Sequence, residues 1–221
     1  MRLLALDTSG PGCFAAVHDT ERNRILAQHG AVIGRGHAEM LTGFIEAALA
    51  DAGLTLSAIG RIAVTVGPGS FTGIRVGVAA ARGFGVALGV PVVGVTTLAV
   101  LADMARQAQG ARPVLAVMDP ARAELYCQAF DPAGRPVSDA VLLPVEAARA
   151  AYSGFDGVIT GSGAALMAGA ASADGREPDI FDIAAVARLG ALADPAEARP
   201  SPLYLRGPDA RPQDGFAVAR A

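Results

Sequence analysis

The chain has 221 residues, is 52% apolar with a mean hydropathy of +0.40, carries a formal net charge of −3, and has arginine at all 18 of its Lys-plus-Arg positions. Without lysine there is neither a Walker A loop, whose Lys holds the β/γ-phosphates, nor Schiff-base catalysis. A sequence pI near 5.6 excludes a self-sufficient electrostatic footprint for nucleic acid, so any RNA contact is expected to be shared with a partner. At this length one large domain or two small ones fit, burying about 70% of the unfolded surface.

Residues 2–6, 13–17 and 24–28 are short apolar or alternating runs separated by Gly, Pro, Asp and Asn, which predicts a three-stranded meander. Over 37–51 the apolar side chains Met40, Leu41, Phe44, Ile45, Ala48 and Leu49 fall at i, i+1, i+4, i+5 with Gly53 just beyond, predicting an amphipathic helix. A β-branched strand at 61–66, a turn at 67–70, an Ala/Gly-rich helix at 72–88 and a buried strand at 91–95 follow. The second half repeats this order, with strands at 114–118, 123–130 and 137–142, a helix at 145–151, a strand at 157–160 and helical segments after Gly163. No sequence self-similarity accompanies the repeat, so it is a duplication of topology alone.

The expected fold is therefore α/β, with two βββαβα lobes of the actin-like or ribonuclease H-like kind, an architecture shared by actin, sugar kinases and Hsp70 ATPase domains. Residues 1–103 make an N-terminal lobe, 104–193 a C-terminal lobe and 194–221 a Pro/Arg-rich tail. Pro195, Pro200, Pro202, Pro208 and Pro212 forbid a long helix in the tail, which is expected to run along the surface or to be partly disordered. A hydropathy scan flags only 76–102, but Arg82, Pro91 and several glycines interrupt it, whereas a membrane span needs about 20 apolar residues. Cys13 and Cys127 have neither metal-ligand nor disulfide-framework spacing, and residues 1–7 lack a signal-peptide pattern, so a cytoplasmic, non-membrane protein is expected.

Two loops could carry chemistry. Asp7-Thr8-Ser9-Gly10 ends the first strand with a carboxylate and two hydroxyls, a phosphate or metal-water site or simply an Asx turn. Gly67-Pro68-Gly69-Ser70-Phe71-Thr72-Gly73 joins a strand to a helix, where helical N–H groups and the Ser70 and Thr72 hydroxyls either hold an anion or cap the helix, two roles that are compatible. Asp7, Thr8, Gly67, Gly69, Ser70 and Thr72 are the candidate nucleotide-binding residues. The same helix carries Gly73, Gly77, Ala81, Gly85 and Gly89 at i+4 spacing, and each helical glycine costs nearly 1 kcal/mol relative to alanine. Close packing must offset that, against the helix's own sheet or against another protein. The three histidines, His18, His29 and His37, offer no pair four apart, so no self-contained metal site is expected, a metallopeptidase is remote, and each His is expected at the surface or as a cap.

Arg2-Leu3-Leu4-Ala5-Leu6-Asp7-Thr8-Ser9, the loop from Gly67 through Gly77, the hairpin Asp119-Pro120-Ala121-Arg122-Ala123-Glu124-Leu125-Tyr126 and the late Pro202-Leu203-Tyr204-Leu205-Arg206 occur in that order. Together they closely resemble the TsaB (YeaZ) family of bacterial tRNA threonylcarbamoyladenosine synthesis, over nearly the whole chain. The resemblance implies an actin-like subunit that pairs with its larger paralogue TsaD, in a complex that also recruits the ATPase TsaE. In that complex TsaD moves threonylcarbamoyl onto N6 of adenosine 37 in tRNAs reading ANN codons, using a metal held by histidines four apart. At the corresponding places this chain has Thr97 and Leu101, and leucine cannot bind a metal. The resemblance thus implies a non-catalytic partner with no cofactor of its own, tRNA reached only through the complex, and ATP or ADP at most at the interface with TsaD. It also implies homodimer and TsaD contacts through the same two N-terminal helices, with Met40, Leu41, Phe44, Ile45, Gly73, Val76, Gly77 and Ala80 as contacts or close support. The alternative is an independent sugar-kinase-like ATPase or phosphotransferase, with Asp7, Thr8 and the 67–72 loop at the phosphates and Gly161-Ser162-Gly163 near an adenosine.

Overall fold

The computed structural model describes residues 1–120, 123–170 and 178–206. Its first sheet is built on β1 (Arg2–Asp7), antiparallel to β2 (Gly12–Asp19), which pairs antiparallel with β3 (Arg24–Val32). On the other side β1 runs parallel to β4 (Arg61–Gly67), and β4 parallel to β5 (Val92–Thr96), giving the order β3-β2-β1-β4-β5. The second sheet repeats the plan with β6 (Val114–Met118), β7 (Glu124–Phe130), β8 (Val141–Pro144) and β9 (Val158–Thr160) in the order β8-β7-β6-β9. The two-lobed α/β architecture expected from the sequence is the one present.

Successive side chains of a strand point to opposite faces, and the layers follow from that alternation. Leu4 and Leu6 of β1 face outward onto α1 (His37–Asp51) and α2 (Phe71–Leu88), with Leu41, Ile45, Ile74 and Val78 in one cluster. Leu3 and Ala5 face inward onto α3 (Thr97–Gln109) and α6 (Ile183–Leu192), which share a core with Val114 and Ala116 of β6. The far face of the second sheet is covered by α4 (Val145–Ala151) and α5 (Ala164–Met167).

Several details depart from the sequence expectations. α3 is an additional helix: Thr96 caps it, its Oγ1 accepting from Ala99 N at 3.2 Å, directly where β5 ends. Position 103, where the sequence divides the lobes, lies inside α3, and the Asp103 carboxylate accepts from Arg188 of α6 at 2.6 Å. α6, although it follows the second lobe's elements, packs on β1, β2, β4 and β5 of the first sheet. Arg61 draws it there, donating from Nη1 to the terminal carbonyls of Gly190, Ala191 and Ala193 at 3.1–3.2 Å. β3 continues four residues beyond the expected end. β8 starts at Val141 rather than 137, because the Ser138 hydroxyl takes the Ala129 N–H at 3.0 Å that a ladder carbonyl would otherwise take.

The tail runs over the surface as expected through Arg206; Pro208 and Pro212 lie outside the described residues. Gly94 N donates to Ala198 O at 2.8 Å and Leu203 N to Val66 O at 2.8 Å, so the tail lies against the middle of β5 and the end of β4. α2 has the length and composition of a membrane-crossing helix, yet one of its faces is buried on the first sheet.

Candidate functional site: the outer face of two helices and the junction beneath it

Ser70 is the N-cap of α2, its Oγ accepting from Gly73 N at 3.2 Å, so the capping expectation holds for this residue. The buried face of α2 consists of Gly73, Ile74, Gly77, Val78, Ala81 and Gly85. A methyl group at Gly73 would overlap the Thr8 carbonyl oxygen, one at Gly77 the Thr8 hydroxyl, and one at Gly85 the Val92 side chain. The small-residue stripe therefore packs on the helix's own sheet. Gly73 and Gly77 are supports beneath the outer face and not part of it, and Gly89 is outside the stripe, ending the helix in a left-handed conformation at φ 67°.

The remaining expected contact residues divide in the same way. Leu41 and Ile45 are buried in the core under α1, Phe44, Val76 and Ala80 are half-buried, and Met40 is 44% exposed. α1 and α2 lie side by side, and together they present an outer surface that includes Met40, Gly43, Ala79, Gly83 and Val86, the last 85% exposed. Gly43 and Gly83 sit inside helices with nothing within 4 Å of where a Cβ would be. Each costs about 1 kcal/mol against alanine, and nothing among the described residues requires either. Their signal in the sequence was the stripe opposite the buried one, marked by Arg75 and Arg82.

At the N-terminal end of this face, Phe71 stacks on the Arg75 guanidinium, which lies 3.7 Å from the ring centroid. Arg75 Nε donates to Tyr204 Oη at 3.0 Å, and the two rings lie 5.2 Å apart. Arg206, two residues on, pairs with Glu124 of β7. The tail thus connects α2 to the second sheet, a role its composition did not disclose.

The expected nucleotide-binding residues meet beneath α2. Asp7 is 1% exposed, and its Oδ1 accepts from Ser9 N at 3.0 Å, Ser9 Oγ at 2.6 Å and Thr65 Oγ1 at 2.6 Å. Its Oδ2 is buried without a partner. Burial raises the Asp7 pKa above the ordinary carboxylate value, against the lowering effect of those hydrogen bonds. Thr8 Oγ1 donates to Gly73 O at 2.7 Å, and Ser70 N to Ser9 O at 2.7 Å. Gly67 has φ 99° and Gly69 crowds the Ser9 carbonyl, so both glycines are needed to bring the loops together, while Thr72 is exposed. Two donors that would face an anion, Ser70 N and Gly73 N, are thus already used within the junction.

In the second lobe, Ser162 donates from N and from Oγ to Asp179 at 2.8 and 2.6 Å and accepts from Asp119 N at 3.0 Å. Burial pushes the Asp179 carboxyl up. Gly161 and Gly163 each abut Val117. Thr97 Oγ1 donates to Pro68 O at 2.6 Å, and Leu101 is in the core. Among the described residues no group of three or more His, Cys, Asp or Glu side chains gathers. His29 pairs with Asp51 at 2.7 Å at the surface, and His37, in the first turn of α1, bonds Gly10 O at 3.0 Å. His18 and His37 depart from the surface-or-cap expectation: His37 is buried and caps no helix, and His18 is 1% exposed on β2, where burial lowers its pKa.

A family model for TsaD, the tRNA N6-adenosine threonylcarbamoyltransferase, matches residues 20–152. An uncharacterised protein of Mycobacterium tuberculosis is 36% identical over 212 residues, 95% of this chain and 94% of that one. The Escherichia coli tRNA threonylcarbamoyladenosine biosynthesis protein TsaB is 33% identical over 126 residues, 57% of this chain and 53% of its own. The structure of YeaZ from Pseudomonas aeruginosa superimposes with a TM-score of 0.72 at 28% identity, covering 92% of this chain and 99% of that one. Fold and matches define a two-lobed α/β protein of the class that the TsaD family model describes. The chain belongs, within that class, to the TsaB (YeaZ) family of tRNA threonylcarbamoyladenosine biosynthesis proteins.

Proposed function

We propose that this chain is the non-catalytic, activating subunit of the complex that transfers a threonylcarbamoyl group to N6 of adenosine 37 in tRNAs reading ANN codons. Its α1–α2 face docks on TsaD and biases that paralogue toward its transferring conformation, TsaE joins the assembly, and tRNA is bound only by the whole complex. The face also serves for self-association when the chain is alone, and the protein works in the cytoplasm away from membranes. The observation that carries this reading is the outer surface of α1 and α2, where Gly43 and Gly83 are open to solvent inside helices and Val86 is 85% exposed. Close approach by another protein's helices gives those glycines a reason the monomer lacks.

Co-purification with the cognate TsaD, followed by transfer on tRNA with and without this chain, tests it. Gly83→Leu should keep the fold, since a Cβ there meets nothing within 4 Å among the described residues and points to solvent, while complex formation and subunit-dependent transfer are lost. Full binding by that variant refutes the docking face. Gly77→Asp is not a clean probe, because its side chain would collide with Thr8 inside the subunit.

One observation favours a second reading. Asp7 Oδ2 is a buried acceptor with no hydrogen-bond partner among the described residues, the kind of group that a kinase-like ATPase, or ATP or ADP at the TsaD interface, would engage. Stoichiometric ATP binding with turnover by the isolated chain would establish the enzyme; nucleotide bound only in the presence of TsaD would establish the interface site.

A further inference from the structure

The outer stripe of α1 places Glu39, Gly43 and Glu46 in line, and the outer stripe of α2 places Arg75, Ala79 and Arg82 in line; all six are exposed. On each helix the charges are seven residues apart, two turns or about 10.5 Å, with a small residue between them. Among the described residues none of these four charges forms an ion pair: Arg75 is held by two aromatic rings and a phenol, and no carboxylate reaches it or Arg82. One helix is thus acidic and its neighbour basic, with equal spacing. A surface of that kind is complementary to itself under two-fold rotation.

We infer that Glu39 and Glu46 on α1, with Arg75 and Arg82 on α2, form a charge code through which this face recognises a second copy of the chain. α1 of one protomer lies against α2 of its partner, the small residues allow close approach, and the equal spacing closes both charge pairs at once whether the helices run parallel or antiparallel. Exposed ion pairs contribute little affinity each, whereas like charges brought together cost several kcal/mol, so the code acts chiefly on which faces can mate. The inference rests on the α1–α2 face being the docking surface proposed above and adds the chemistry that any occupant must match.

Two double variants test it by sedimentation. Arg75→Glu with Arg82→Glu makes both helices acidic; Glu39→Arg with Glu46→Arg makes both basic. Each alone should lose self-association by about a hundredfold, and an equimolar mixture should recover it, because each acidic helix then meets a basic one. Recovery on mixing also demonstrates that both variants fold. Arg82→Glu alone leaves the Arg75–Tyr204 contact intact and should show the same loss at smaller size. Wild type that stays monomeric, doubles that self-associate like wild type, or a mixture that stays monomeric would each overturn the code. Capture of cognate TsaD by a chain that does not self-associate would leave the proposed function standing without the code. Self-association that follows the code without TsaD capture would do the reverse.

Discussion

Gly77 and Gly83 lie in the same helix six residues apart, and the same substitution should move stability in opposite directions at the two sites. At Gly83 a Cβ meets nothing within 4 Å, so Gly83→Ala gains helix propensity alone, about 0.8–1 kcal/mol. In a chain of this size that raises Tm by about 2–4 °C. At Gly77 the Cβ overlaps the Thr8 hydroxyl and lies 3.3 Å from Val64 Cγ2, so either α2 lifts from the sheet or the 2.7 Å bond from Thr8 to Gly73 O is lost. Overpacking costs about 1–3 kcal/mol and the lost hydrogen bond about 1 kcal/mol, which outweighs the propensity gain and leaves Gly77→Ala destabilised by about 1–3 kcal/mol. Urea unfolding of both variants, at protein concentrations low enough to keep the chain monomeric, reads the two signs. A neutral or stabilised Gly77→Ala would refute the packing of α2 on β1 and β4, and a destabilised Gly83→Ala would place Gly83 inside the monomer. The docking assay should reverse the order for Gly83, since the more stable variant should bind its partner less well.

Asp7→Asn should stabilise the isolated chain at pH 8 and lose that advantage as the pH approaches 4. The folded-state pKa of Asp7 is raised by burial, so the folded protein binds more protons than the unfolded chain above pH 3.8, and the wild type loses stability as the pH rises through the folded pKa. Thermal melts of both proteins across that range check it, and a pH-independent difference would refute the burial argument. Arg61→Ala should cost about 1–3 kcal/mol by uncovering three carbonyls at the end of α6. Hydrogen exchange should rise first over residues 183–192, and uniform loss of protection would contradict a local cap.

Elements with their own period were legible. α1 has the bounds its i, i+4 apolar pattern predicts, because a single buried face fixes the spacing of its apolar residues, and β6 keeps its bounds as a continuous apolar run buried on both faces; α4 also has the expected bounds. α3 was harder to read because Thr96-Thr97-Leu98 continues the apolar run of β5 with no Gly or Pro between, although Leu98, Leu101, Ala102 and Ala105 keep helical spacing. α6 sits on the first sheet through apolar contacts with Leu3, Ala5, Ala63 and Val93 and through Arg61 at its end, all some 90 to 190 residues away, and no local pattern encodes contacts of that range. The docking face was half legible. α2 is small and apolar around much of its circumference, so its glycines did not say which side was out, whereas Arg75 and Arg82 did, since a charged stripe faces away from the core.

The hydrogen-bonding capacity left over in the molecule favours a docking role over chemistry at the interlobe junction. Asp7 Oδ1 takes three hydrogen bonds, Thr8 serves the Gly73 carbonyl, Ser70 caps its own helix, Thr97 serves Pro68, and Ser162 gives both donors to Asp179. A phosphate arriving there would have to displace bonds that hold β1, β4 and α2 together, at about 1 kcal/mol or more for each bond broken without replacement. On the outer face of α1 and α2 the balance is reversed: two glycines are open, Val86 has nothing over it, and four charges have no ion-pair partner among the described residues. A second protein would satisfy all of these at once, whereas water solvates the charges but gives the glycines no reason to be there. Asp7 Oδ2 is the exception at the junction, and the pH profile of Asp7→Asn in the presence and absence of TsaD separates its possible roles. A stabilising effect that persists in the complex marks a structural cost, whereas loss of nucleotide binding or of transfer on asparagine substitution marks a ligand contact.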